Sequence, residues 1–145
     1  MAEKQETTEE KVKKSLDFAI LDGFFYSVMV GFGESFLSAF AIFLKATNGQ
    51  IGLLGSLPQA LGSLSQLLSR RLMKLLNSRK KVVLFGVLIS GLMYLPITLT
   101  FFFGKVGVPL LLLFVCLYWI STTIMGPAWN SWMGDLVNIN EKGRY

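Results

Sequence analysis

Glu34 is the residue whose type and setting point most directly to chemistry. It stands with Asp22 in an otherwise apolar run, 18–44. A carboxylate held among apolar side chains suits binding and release of a proton, a cation or a polar substrate. Glu34 lies twelve residues past Asp22, about 18 Å along a helix axis. Gln59 and Asn130 are the other polar side chains, in two further apolar runs, that could line a site with it. Asp22 sits nearer the start of its run, where a gating role or a pairing with a loop cation both fit. The chain has no His and one Cys, Cys116, so His-based catalysis, a His metal site and an internal disulfide are excluded. No nucleophile triad, metal set or nucleotide loop is present. "GFGES" at 31–35 lacks the Lys-Ser/Thr that a phosphate loop needs. The expectation is therefore a protein that binds and moves something, not an enzyme, with no catalytic residue, metal or cofactor.

The elements that must position these residues follow from composition. The chain is 52% hydrophobic and 16% charged, against about 25% charged for soluble domains. A bilayer core asks for about 20 apolar helical residues per crossing. Four runs meet that length: 18–44, 46–69, 82–104 and 107–134. Helices satisfy their own backbone in lipid, and these runs lack the alternation of a membrane β-barrel. The expected fold is all-α and integral to the membrane, with four transmembrane helices at 18–134. A polar cytosolic arm, 1–17, precedes them, and the start of a cytosolic loop, 135–145, follows.

The cations orient this arrangement. Arg70, Arg71, Lys74, Arg79, Lys80 and Lys81 crowd the connection 70–81, whereas connections 45–50 and 104–107 carry one each, Lys45 and Lys105. The arm adds Lys4, Lys11, Lys13 and Lys14, and the tail Lys142 and Arg144. Excess cations mark the cytoplasmic side. Both termini and the 70–81 connection are thus expected inside the plasma membrane. A basic nucleic-acid surface needs a folded polar domain to carry it, and the flanking runs offer none. Nucleic acid is therefore not an expected partner, and the lipid bilayer is.

Small and polar residues recur on one face of the first two runs. Gly23, Ser27, Gly31, Glu34, Ser38 and Ala41 share one face of the first; Gly52, Ser56, Gln59, Ser63, Gln66 and Arg70 share one of the second. Such faces pack helices together or line water. In the third run Leu84, Leu88, Leu92, Leu95, Leu99 and Phe102 form the lipid-type face. The outer half of the fourth, "VPLLLLFVCLYWI", reads as lipid-facing throughout. Trp129 and Trp132 read as interfacial anchors.

Two stretches carry a family resemblance. "NSRKKVVLFG" (77–86) is similar to the back half of the loop signature G-x-x-x-D-R-x-G-R-R/K of the major facilitator superfamily of secondary transporters. "GPAWNSWMGDLVNINEKGRY" (126–145) resembles that family's end of the fourth span, where an Asp precedes a loop with Gly-Arg. Arg79 and Lys80 fall on the signature's final basic pair. Leu75 stands where the signature has Asp, and Arg71 where it has its first Gly, so the acidic half is missing. The resemblance implies a pairing of Asp135 with Arg79, and a cytosolic gate that includes Asp22, Arg70, Arg71, Lys80 and Arg144. It implies the amino-terminal portion of a helical bundle that moves a small solute by alternating access. Glu34, Gln59 and Asn130 are then the substrate or proton site, and proton coupling stays open. Because such transporters have twelve spans, the remaining helices or a partner chain are expected to complete it. Two other readings remain: a four-span multidrug exporter acting as a dimer, and a membrane scaffold or regulatory module that transports nothing.

Overall fold

The computed structural model describes the backbone of residues 2–136 and the side chains of residues 14–135. Helices account for nearly all of it: α1 (Ala2–Phe32), α2 (Leu37–Phe43), α3 (Asn48–Leu76), α4 (Arg79–Leu99) and α5 (Gly107–Leu136). One 3-10 turn, Glu34–Phe36, joins α1 to α2, and another, Thr100–Val106, joins α4 to α5. The all-helical expectation holds, and there is no strand among the described residues.

The expectation of four transmembrane helices is corrected. Among the described residues the elements join into three helical stretches, of which two are long and apolar enough to cross a membrane by length and composition: Lys14–Phe43 and Arg79–Asp135. Helix α3 is not one of them. Its apolar residues are diluted by Gln50, Ser56, Gln59, Ser63, Ser65, Gln66 and Ser69. The runs 82–104 and 107–134, expected as two separate spans, belong to one apolar stretch of 57 residues joined through the 3-10 turn. The arm 1–17 continues into the first apolar run as one helix, since α1 begins at Ala2 and ends at Phe32.

Packing divides the chain into two units, Met1–Leu37 with Met133–Tyr145, and Ser38–Trp132. In the first, α1 leaves most of its apolar side chains uncovered. Phe18, Phe24, Phe25 and Phe32 are all exposed, and so are Gly23, Ser27 and Gly31.

In the second unit, local sequence signals set each helix end. Lys45 takes the left-handed conformation (φ 62°) that closes α2. Ala46 N–H donates to Ala41 O at 3.0 Å and Lys45 N–H to Ile42 O at 2.8 Å, the two bonds of a Schellman cap. Thr47 then opens α3 with a capping box: Thr47 N–H donates to Gln50 Oε1 at 2.9 Å while Gln50 N–H donates to Thr47 Oγ1. Asn77 ends α3 in the left-handed region (φ 49°, ψ 28°), and Ser78 caps α4 by accepting from Lys81 N–H. A glycine is required between α4 and α5. Gly104 adopts φ 52°, ψ −131°, and a Cβ on Gly107 would stand 2.5 Å from Thr100 O.

That turn folds α5 back along α4. Tyr94 and Tyr118 meet edge to face at 5.2 Å, Gly86 lies against Ser121 and Met125, and Arg79 Nη1 donates to Ser131 O at 3.1 Å. Helix α3 lies along the same hairpin. Its buried side, Leu54, Pro58, Gly62, Ser65 and Ser69, is mostly small, so backbones approach closely. At one end, Val82, Val83 and Ala128 form a core covered by Leu72, Met73, Leu76, Ile124 and Trp129. At the other, Phe43 stacks on Phe101 at 5.7 Å.

Two expectations about helix faces change here. On α3 the packing face is not Gly52, Ser56, Gln59, Ser63 and Gln66, which lie on its uncovered or half-covered sides; it is the neighbouring stripe through Gly62 and Ser65. On α5 the outer half is not lipid-facing throughout, because Leu111, Val115 and Tyr118 are buried in the hairpin. The lipid-type face of α4 agrees with expectation: Leu84, Leu88, Leu92, Leu95, Leu99 and Phe102 are all exposed.

Candidate functional site

The interlock between α3 and α5 decides which polar residues remain available. Thr123 Oγ1 lies 2.9 Å from Gly62 O and 2.6 Å from Trp119 O, donating to either, and 3.0 Å from Ser65 Oγ. Ser65 Oγ in turn donates to Gly62 O at 2.6 Å. A Cβ on Gly62 would meet Thr123 Oγ1 at 3.0 Å, Thr123 Cγ2 at 3.1 Å and Trp119 O at 3.3 Å. Ser65 was not expected in this role. The spacing Gly62, Ser65, Ser69 is the signal that could have found it, but the parallel series Gly52 to Arg70 obscured it. Ser69 Oγ is buried and makes no hydrogen bond among the described residues.

With Gly62 and Ser65 turned to α5, the stripe Ser56, Gln59, Ser63 and Gln66 is exposed on α3. The serine hydroxyls bond back to their own helix, Ser56 Oγ to Gly52 O and Ser63 Oγ to Gln59 O, each at 2.9 Å. The two glutamine side chains are thus the stripe's extending polar groups. An apolar bundle that keeps two primary amides on its outside must set them against water or another polar surface when it lies in lipid.

Glu34 belongs to the other unit. It begins the 3-10 turn that interrupts the helix between Gly33 and Leu37, and it is half-buried. Ser35 Oγ donates five residues back to Val30 O at 3.2 Å, so the regular ladder is broken where the acid sits. Asp22 is exposed on α1.

The structure does not bring Asn130 to Gln59. Thr123 of α5 is level with Gly62 of α3, and the two helices run the same way past each other. Gln59 is three residues to one side of that level and Asn130 seven to the other, about 15 Å apart along the axis. Asn130 is exposed near the basic end instead. Of the gate residues, Arg79 is tied to α5 through Ser131 O, and Arg70, Arg71 and Lys80 are exposed. Asp135 is exposed on the last turn of α5, and Arg144 lies outside the described residues. Among the described residues no three His, Cys, Asp or Glu side chains group to hold a metal. Compared with known protein families, characterised proteins and solved structures, the chain matches none.

Proposed function

We propose that this chain is a multi-pass protein of the plasma membrane that takes part in moving a small solute across the bilayer by alternating access. The observation that carries the reading is the amide stripe on α3. Gln59 and Gln66 stand outside the bundle, on the one long helix too polar to face lipid all round. A helix of that kind is suited to lining an aqueous path between apolar helices. Glu34, at an interruption of the other apolar stretch, is the group proposed to bind the solute or a coupling proton. The basic α3–α4 connection is proposed to face the cytoplasm, by the excess of cations there. The likeness of 77–86 and 126–145 to major facilitator loops supports this assignment.

The test is uptake into proteoliposomes. Radiolabelled amino acids, sugars and organic cations are supplied with and without an imposed proton gradient, for wild type and Glu34→Gln. Uptake of one class above protein-free vesicles, reduced by Glu34→Gln, is expected. If no class enters faster than into empty vesicles, the proposal fails.

A scaffold is the second reading, favoured by one observation. A Cβ at Gly23, Gly31, Gly52 or Gly55 would meet nothing within 4 Å, so small-residue faces on α1 and α3 are open to another helix. Unchanged flux in Glu34→Gln, together with loss of a co-purifying membrane partner in Gly52→Leu, would favour that reading.

A further inference from the structure

From Ser38 to Trp132 the chain contains eight Lys and Arg and not one Asp or Glu. Six of the eight gather at one end of the α3–α4–α5 bundle: Arg70, Arg71 and Lys74 on the last turns of α3, and Arg79, Lys80 and Lys81 on the first turn of α4. The three on α4 occupy the positive end of its helix dipole with no acidic residue in that turn, a placement that repels itself. No acidic residue within this unit stands against Arg70, Arg71, Lys74, Lys80 and Lys81.

The same end of the bundle has the features of a membrane interface. Trp129 packs on Val82 and Val83, directly beside the cations of α4, and meets Trp132 edge to face at 5.8 Å. Paired indoles at a helix end mark headgroup depth. Leu75 on α3 and Leu84 and Phe85 on α4 are exposed next to the cations, giving acyl chains an apolar wall under the charged rim.

We infer that this end is a binding surface for acidic phospholipid headgroups, whose phosphates and extra negative charge supply the anions the unit lacks. The inference rests on the membrane reading above and names the lipid class that this surface selects. Acidic rather than zwitterionic lipid follows from the charge balance. A zwitterionic headgroup brings its own cation and leaves the cluster uncompensated, whereas each acidic headgroup removes one net charge.

The reporters for a test are already in place. In the Trp119→Phe background, Trp129 and Trp132 are the remaining indoles. The protein is reconstituted into vesicles of mixed acidic and zwitterionic phospholipid, in which one or the other species carries brominated, quenching acyl chains. The brominated acidic lipid is expected to quench more than its mole fraction predicts, and the brominated zwitterionic lipid less. The preference should fall toward parity in high sodium chloride. It should also fall in Lys74→Gln/Lys80→Gln/Lys81→Gln, by up to about fivefold for each cation lost. The salt series keeps the test decisive if that variant folds poorly. Equal quenching by both lipids would overturn the inference and leave the membrane reading standing. Loss of the preference on adding inorganic phosphate, but not chloride of equal ionic strength, would also overturn it, in favour of a soluble anion. Absence of quenching by both lipids would overturn both readings.

Discussion

Replacing Gly62 with Ala should loosen the bundle, although Ala is the better helix former. The added Cβ would sit 3.0–3.3 Å from Thr123 Oγ1, Thr123 Cγ2 and Trp119 O. Trp119 O is backbone and cannot turn aside. Thr123 is held by its hydroxyl near Gly62 O and Trp119 O, so its easy rotation would forfeit an interhelical hydrogen bond. Overpacking of this kind costs about 1–3 kcal/mol, and losing the hydrogen bond adds about 0.6 kcal/mol in a membrane bundle. The gain in helix propensity, up to about 1 kcal/mol, works in the other direction. Gly52→Ala, on the same helix with nothing within 4 Å, receives that gain without the clash. The difference between the two variants cancels propensity and isolates the contact with its hydrogen bond, which should amount to about 1.6–3.6 kcal/mol. Unfolding in mixed micelles of increasing SDS, followed by far-UV circular dichroism, measures it. Thr123→Ala in the Gly62→Ala background should recover part of the loss, since it removes the clashing methyl and hydroxyl. Equal stability of Gly62→Ala and Gly52→Ala would refute the close approach of α3 to α5.

Two further outcomes test neighbouring parts of the account. Gly104→Ala should lower stability by about 1–3 kcal/mol, because φ 52° with ψ −131° is a backbone region that side chains rarely occupy; thermal melting in detergent checks it. In a Cys116→Ala background, Gln59→Cys and Gln66→Cys should react quickly with a membrane-impermeant maleimide in proteoliposomes, and Ser65→Cys slowly; protection of both glutamine positions in intact vesicles would argue against an aqueous path along α3.

The two ends of α3 were signalled by single residues and their near neighbours. Thr47 with Gln50 three positions on, and Asn77 followed by Ser78, make their bonds locally, and their identities announce them. The apolar surface of α4 was equally legible, since Leu84 to Phe102 repeat at helical spacing and face away from both neighbours. The face of α3 was not. Two polar and small series run along it side by side, and periodicity ranks them equally. What separates them is the partner: Gly62 and Ser65 fit Thr123 and Trp119, while Gln59 and Gln66 are too large for so close a contact.

By itself, then, the sequence determined an all-helical chain with long apolar stretches, a concentrated basic connection and two acids, Asp22 and Glu34, in the first stretch. These are properties of composition and order along the chain. Helix boundaries, taken with composition, left two stretches rather than four long and apolar enough to cross a membrane, and tertiary structure decided that α4 folds back on α5 at Gly104. It also decided that Gln59 and Asn130 lie at different levels. The physical reason is that packing selects faces by shape across a contact, and residues far apart in the chain supply the other half of that shape.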